Sequence, residues 1–522
     1  MRKRNKIIWI GLILLLLIGT VMGARVYVNW KIKNSLRSKL ALLRESGITV
    51  DYTKVKVNLW TGKVSADEVM VKVNDKIGPY LSVSIPLLEL QAVRLVPFVT
   101  HRNLSIKEVT VSNPQITLYR TTSFVKIHTS TLGNKKVLEG VEIDKIEIPN
   151  LNLSVLRQDH PEDTLTATRL DLQVFDFQYY KESQPGEFAV PGFIISDAET
   201  DISKGEYQVA IEKITYDERQ LRIDSVDIHS ALSERLFMKN AGVEKDRFDL
   251  FVNYITATHA GVEGGEEAFF KLVDANIQFD MEVFRDKRYP NVRRKDTQLP
   301  IKMLRQIPFK FQLDTLQILD SRVQYKEFPE AGDSVGSVTF EKLNASVASL
   351  DNTPRWTGAT TVDVNTRLMG GGYLQSKMTM PGDSTLPYTV EGYLRDMDLR
   401  LVNKMMEPAA GIRIESGDVK EIKFSFYYND YRSDGKLEMD YENLKVVALK
   451  NDRKNEADVN KFKTLVINTF LVKKNSHQKG MPRLSGDILF VRDRKKSIFN
   501  YWWKSIYSGI KSVYCERCGE DN

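Results

Sequence analysis

From Ile48 onward, apolar and polar residues alternate with a period of two through most of the chain. Val55, Val57 and Leu59 keep this parity, as do Ile116 and Leu118, Leu170, Leu172 and Val174, Val362 and Val364, and Phe424 and Phe426. Alternation puts every second side chain on one face, so it predicts strands with an apolar side. Helical spacing is confined to short stretches. Leu299 to Ile307 (LPIKMLRQI) is one. Ser497 to Tyr514 (SIFNYWWKSIYSGIKSVY) is the longer, with Phe499, Trp502, Trp503, Ile506, Ile510 and Val513 at helical intervals. Strands that are not each followed by a helix exclude an all-helical fold and an alternating β-α-β nucleotide-binding fold.

The alternation is organised in repeats. Residues 104–120 (LSIKEVTVSNPQITLYR), 141–157 (VEIDKIEIPNLNLSVLR) and 311–327 (FQLDTLQILDSRVQYKE) align without gaps. Each has aliphatic residues at the third, sixth and eighth positions, Asn or Asp at the tenth, and apolar residues at the thirteenth and fifteenth. Residues 221–229 (LRIDSVDIH) repeat the first half. Positions three and six differ in parity, so a common apolar face requires a bulge or kink at Lys107, Asp144, Asp314 and Asp224. Asn113, Asn150 and Asp320 then mark a bend before the next apolar pair. The alternative is a β-sandwich whose strands match by coincidence. Repeated strand units cannot bury an apolar face alone, so the sheet they build is covered by a second sheet, by helices or by something that is not protein. Ile106, Val109, Val111, Ile143, Ile146, Ile148, Leu313, Leu316 and Ile318 are therefore the candidate lipid-binding residues.

Ahead of the strands, Arg2, Lys3, Arg4 and Lys6 precede an uncharged run from Ile7 to Ala24. As a helix this run reaches about 27 Å, close to the hydrocarbon thickness of a bilayer. A secretory signal shares the basic start, and Gly23 and Ala24 are small enough for a peptidase, but the run exceeds an ordinary signal core. Residues 1–24 are expected to be a basic cytoplasmic tip and a retained transmembrane helix. Ile32, Leu36, Leu40 and Leu43 continue at helical spacing among Lys31, Lys33, Arg37, Lys39 and Arg44, which predicts a juxtamembrane amphipathic helix over 25–47 that stops at Gly47. A β-rich body follows in two parts, 48–300 and 301–490, and a basic aromatic helix and tail occupy 491–522.

Composition narrows the chemistry. The 522 residues include 75 basic and 68 acidic side chains, a net charge of +7 that is too dilute for a nucleic-acid footprint. Hydrophobic residues at 42% and charged residues at 27% are those of a globular chain. The only two cysteines, Cys515 and Cys518, leave the body without a disulfide framework or an internal cysteine-ligated metal, and together they make half a zinc site or a dithiol in a tail. Gly332-Asp333-Ser334-Val335-Gly336 has the letters of a hydrolase nucleophile elbow. It follows a polar, proline-containing stretch and precedes a strand pattern, so it reads as a hairpin loop. The six histidines are scattered, no phosphate loop occurs, and Gly370-Gly371-Gly372 reads as a bulge or close strand crossing. No catalytic residue, metal site or cofactor is expected, and the chain is read as a non-enzyme.

Two cationic segments remain. Arg285 to Lys295 (RDKRYPNVRRK) is either a solvated turn or a site for phosphate-bearing headgroups, with Arg285, Lys287, Arg288, Arg293 and Arg294 as candidates. The helix from Ser497 carries Trp502, Trp503 and Lys504, which suit either a membrane interface or a cap on the end of the sheet.

Taken in order, the basic N-terminus and single apolar span, Leu95 to Arg120, Phe284 to Glu327, Leu437 to Lys445 (LEMDYENLK) and Ser497 to Lys511 resemble the AsmA-like envelope proteins of Gram-negative bacteria, within an uncharacterised subgroup. The resemblance implies an inner-membrane protein with a periplasmic body that holds acyl chains in a β-lined groove and supports lipid transport or envelope assembly. It carries over no catalytic residue. The expected fold is mainly β, an N-terminal transmembrane helix followed by an elongated, groove-like body of repeated strands with short helices and a C-terminal amphipathic helix. The expected partners are membrane phospholipid or another envelope lipid, with envelope proteins as further candidates; the alternative function is a non-enzymatic β-rich scaffold that binds those proteins.

Overall fold

The structure is a computed structural model that describes residues 48–58, 61–75, 78–94, 103–120, 140–157, 165–180, 188–202, 206–263, 269–290, 296–307, 309–353, 356–383, 385–449, 476 and 483–514. The chain is mainly β with a few short helices. It divides into an N-terminal unit, Met1–Glu218, and a C-terminal unit, Arg219–Asn522. Among the described residues no helix is long and apolar enough to cross a membrane. The expected span at 7–24 and the amphipathic helix at 25–47 lie outside those residues.

The described part of the N-terminal unit contains β1 (Ile48–Asp51), β2 (Lys54–Asn58), β3 (Lys63–Asp75), β4 (Gly78–Gln91), β5 (Asn103–Ser112), β6 (Gln115–Arg120), β7 (Gly140–Arg157), β8 (Leu165–Tyr180), β9 (Phe188–Ala189), β10 (Gly192–Ile202) and β11 (Tyr207–Asp217), and no helix. β5 and β6 are the two halves of one broken strand, antiparallel to β4 on one side and parallel to β7 on the other. Among the described residues every other pairing in this unit is antiparallel, through β3, β8, β10 and β11. The first two sequence repeats are thus neighbours in space. They pair in parallel at an offset of 141 − 104 = 37 residues, which holds from Asn103↔Gly140 to Arg120↔Arg157.

The C-terminal unit runs β12 (Gln220–His229), α1 (Glu234–Ala241), β13 (Asp246–Ala257), β14 (Gly261–Glu263), β15 (Phe269–Asp286), α2 (Pro300–Arg305), β16 (Phe311–Phe328), β17 (Gly336–Asp351), β18 (Ala359–Leu368), β19 (Gly372–Pro381), β20 (Tyr388–Asp398), a 3-10 turn at Leu399–Val402, α3 (Asn403–Ala410), β21 (Ile412–Tyr428), β22 (Arg432–Ala448), β23 (Leu484–Val491) and α4 (Ile498–Tyr514). The third repeat is β16. It pairs in parallel with β15, a step that needs a crossover, and α2 sits in that crossover. The strands from β16 to β23 then follow one another as antiparallel neighbours.

The repeats are kinked where their apolar parity changes, although the first kink is shared between strands. Across from Lys107, Asp144 and Asp314 lie Ala92 (φ 50°), Asp176 (φ 53°) and Ser349 (φ 62°), all left-handed. In the half-repeat the left-handed residue is Ser225 (φ 52°), next to Asp224. The parity change is visible in the packing: Leu313 and Leu316, three residues apart, join one cluster with Ala257, Ala275, Leu272 and Leu350. At the second kink Asn113, Asn150 and Asp320 take φ of 48°, 52° and 40° themselves. Asn and Asp tolerate this region better than other non-glycine residues because their short polar side chains bond locally. Here the Asn150 amide Nδ2 donates to Asn113 Oδ1 at 2.9 Å across the parallel pair.

Gly370 to Gly372 close the β18–β19 hairpin. Met369 (φ 54°) and Gly370 (φ 73°) are left-handed in the turn, and Gly372 opens β19, so the run is a turn rather than a bulge within a strand.

The main core lies in the C-terminal unit. On β21 buried and exposed positions alternate almost strictly. Its buried side chains Ile422, Phe424, Phe426 and Tyr428 pack with Leu437, Met439, Tyr441, Ile488 and Tyr501. α4 covers this face: Tyr501 and Trp502 meet the Tyr428 ring edge-on at 5.5 and 6.2 Å, and Ile506, Ile510 and Val513 follow along the same side.

Candidate functional site

Strand pairing assembles apolar rows that run across the sheet of the N-terminal unit. Val64, Leu90, Val109, Ile146, Val174, Phe193 and Tyr216 lie each directly opposite the next on seven successive strands. Directly opposed residues share a face, so this is one continuous apolar line. Two positions along, Ala66–Leu88–Val111 and Ile148–Leu172–Ile195–Ile214 make the same kind of run. The intervening row faces the other way and is polar but for Ile194: Ser65, Glu89, Thr110, Glu147, Gln173, Ile194 and Thr215. Lys63 and Lys145 pair with Glu89 and Glu147 on that side, the first at 2.7 Å.

The apolar rows are only half covered. In the seven-residue line Val109 alone is buried, and the other six side chains are partly exposed. In the C-terminal unit a comparable line runs across eleven strands from Leu221 through Leu316, Val362 and Val390 to Ile488. Its last part is dry, with Phe426 at 3% and Ile488 at 1% exposure beneath α4.

The nine candidate aliphatics therefore divide. Ile106 pairs with Ile143 and Val109 with Ile146 in parallel register, while Val111 faces Leu88 and Ile148 faces Leu172. Ile106 and Val109 are buried; Val111, Ile143, Ile146 and Ile148 are half-buried. Leu313, Leu316 and Ile318 belong to the other unit, where Leu313 is buried in its small cluster. Sequence reading missed the partners Leu88, Leu90, Leu172, Val174, Phe193 and Ile195. Local alternation was their only signal, and register is needed to put them in one row.

The cationic candidates described by the structure are mostly engaged. Arg285 is buried and donates twice to Asp246 at 2.5 Å, with Glu244 at 3.6 Å. Burial opposes its charge, but the Asp246 carboxylate outweighs that cost and holds the guanidinium above its ordinary value. Lys287 pairs with Glu327 at 2.7 Å, and Arg288 pairs with Asp286 at 2.6 Å while lying 3.4 Å over the Phe328 ring. Arg293 and Arg294 lie outside the described residues. On α4, Trp502 turns toward Tyr428 and Trp503 is exposed. Ser334 sits exposed in the loop between β16 and β17, and β17 follows that loop in place of a helix. The geometry of the described residues thus presents an extended apolar surface across the N-terminal unit.

No protein-family model matches the chain, and no curated protein sequence matches it.

Proposed function

We propose that the chain is a lipid-binding envelope protein, held in the inner membrane by Ile7 to Ala24, whose periplasmic body carries acyl chains along the apolar face of the N-terminal unit and so supports lipid transport or envelope assembly. The observation that carries this reading is the half-covered seven-strand line from Val64 to Tyr216, backed by a polar face. Strands about 4.8 Å apart make that line about 29 Å long, roughly twice the hydrocarbon depth of one leaflet. It is therefore long enough for one acyl chain. Removing methylenes from water is worth about 0.8 kcal/mol each, so a chain laid along the line gains free energy without any catalytic group. The mechanism is passive: the acyl chain takes the place of a covering layer, and the headgroup stays in water. The resemblance to AsmA-like envelope proteins points the same way.

The test is site-specific photo-crosslinking of the full chain in cell membranes, with the probe at Ile146 and, as a control on the opposite face of the same strand, at Glu147. Phospholipid adducts at 146 and none at 147 are the expected result. Equal labelling at both positions, or protein adducts alone at 146, would overturn the proposal, and the second outcome would favour a scaffold.

A further inference from the structure

α4 packs one side on the core and leaves Phe499 and Trp503 largely exposed on another. The inward side is accounted for. Tyr501, Ser505 and Gly509 are buried, the Ser505 hydroxyl lies 2.7 Å from that of Ser433, and Ile506, Ile510 and Val513 pack on the core. The outward side carries Phe499 at 73% and Trp503 at 53% exposure, with Trp503 stacked on Tyr507 at 5.9 Å. At about 100° per residue, Phe499, Trp503, Tyr507, Lys511 and Lys504 fall within an arc of about 140°, in which Phe499 and Trp503 are exposed, Tyr507, Lys511 and Lys504 are half-buried, and Ile510 reaches the core. Phe499 also meets the Trp502 ring edge-on at 5.6 Å and still keeps most of its surface in water.

The charge on this arc has one sign. Lys504 Nζ lies 5.5 Å over the Tyr507 ring, and among the described residues no carboxylate is within ion-pair distance of it. Burial first, then Lys287 and Lys511, push its ammonium below the ordinary lysine value, and Glu327 opposes them weakly. Glu327 is itself engaged by Lys287 and by the Tyr325 hydroxyl at 2.6 Å. Lys504 is thus a partly desolvated cation beside other cations, which an external anion would relieve.

We infer that the outward face of α4 docks on an anionic phospholipid surface, with Phe499 and Trp503 at the level of the headgroups and acyl boundary and Lys504 and Lys511 on the phosphates. Phe and Trp side chains flanked by lysines on one side of a helix are the arrangement that binds in the plane of a bilayer interface. An acidic protein surface would satisfy the lysines but not the wide exposure of Phe499. The docking does not depend on acyl chains binding the N-terminal sheet, so the two readings can fail separately.

The test uses the full chain reconstituted in vesicles of equal phosphatidylglycerol and phosphatidylcholine, or of phosphatidylcholine alone, with brominated acyl chains as the quencher. The Trp503 contribution is the difference between the wild type and Trp503→Phe, which removes the other tryptophans from the reading. Quenching of that contribution in the anionic vesicles is expected, with a loss of at least twofold in Lys504→Glu/Lys511→Glu and in high salt, which screens surface charge. If the double variant lowers the thermal midpoint, Lys504→Gln/Lys511→Gln replaces it. A Trp503 contribution that is unquenched in both vesicles overturns the inference, as does equal quenching in both that neither salt nor the lysine variants change. Trp503 shielded from aqueous iodide without being quenched by lipid also overturns it, in favour of a protein contact. Phospholipid crosslinks at residue 146 report on the sheet and are expected to persist in every α4 variant.

Discussion

Gly486 on β23 and Gly509 on α4 are in backbone contact: a Cβ on Gly486 would collide with the Gly509 carbonyl oxygen and with Val513, and a Cβ on Gly509 would reach Ile488 at 2.8 Å and Leu437 at 2.9 Å. The helix can come this close because neither residue has a side chain. The approach brings two hydroxyls to the sheet edge, where the backbone N–H of Asp487 donates to Ser512 Oγ at 3.0 Å and that of Leu489 donates to Ser508 Oγ at 3.2 Å. Among the described strands β23 pairs only with β22, so these two amides are ones that a foreign strand would otherwise take.

Gly486→Val and Gly509→Val are expected to destabilise the C-terminal unit by about 1–3 kcal/mol or more, the usual penalty for overpacking a contact that cannot relax. Urea unfolding followed by tyrosine and tryptophan fluorescence measures this. Stability within about 0.5 kcal/mol of the wild type in both variants would show that the helix does not sit as described.

Replacing Ser508 and Ser512 together by Ala is expected to change global stability little, because both bonds are solvent-exposed and water can replace them. The change appears locally instead. Hydrogen exchange at the Asp487 and Leu489 amides should speed up while the amides at the centre of β21 keep their protection.

Ile146→Ala and Leu437→Ala separate the two kinds of apolar row. Leu437 is 1% exposed, and its truncation is expected to cost about 2–5 kcal/mol. Ile146 is half-buried and should cost clearly less, on the order of 1 kcal/mol, since less surface returns to water. Chemical denaturation decides it, and equal losses would mean that the N-terminal row is as closely packed as the core.

Glu421 accepts from Arg395 at 2.7 Å and also from Arg483. Burial disfavours its charge, but the two guanidinium groups, with Lys423 nearby, outweigh burial and hold the carboxyl below its ordinary value. A carboxylate whose folded value is lowered stabilises the fold at pH above its unfolded value, about 4.3, and loses that contribution as pH falls through the folded value. Glu421→Gln should therefore be less stable than the wild type at pH 6 to 7, with the gap closing below about pH 4. Unfolding curves measured from pH 3 to 7 read this directly.

Ser334→Ala is expected to leave both stability and cellular function unchanged. The hydroxyl is exposed in a hairpin loop and not at the end of a strand that leads into a helix. Complementation of a deletion strain at matched protein level tests it, and a loss of function there would reopen the hydrolase reading.

Much of the architecture was written in the chain, because a period of two is a local property that each strand carries by itself. The gapless repeats of 104–120 and 141–157 announced two like strands, and they pair in parallel in the register that the alignment implies. Asn113, Asn150 and Asp320 were legible as bends, since residues that bear a left-handed backbone are few. The helices at Pro300–Arg305 and Ile498–Tyr514 were likewise legible from their spacing. Tertiary structure decided the rest. Parity showed that a kink lies near Lys107, Asp144 and Asp314, but the left-handed residue sits across the ladder, at Ala92, Asp176 and Ser349, and no single strand says which partner will absorb the strain. Pattern could mark Arg285, Lys287 and Arg288 as cations, whereas Asp246, Glu327 and Asp286 reach them only through folding. Helical spacing made Trp502 and Trp503 look alike, and it took the close Gly486–Gly509 approach to turn one toward Tyr428 and the other toward solvent. Local periodicity assigns a side chain to a face; what that face meets depends on residues far away in the chain.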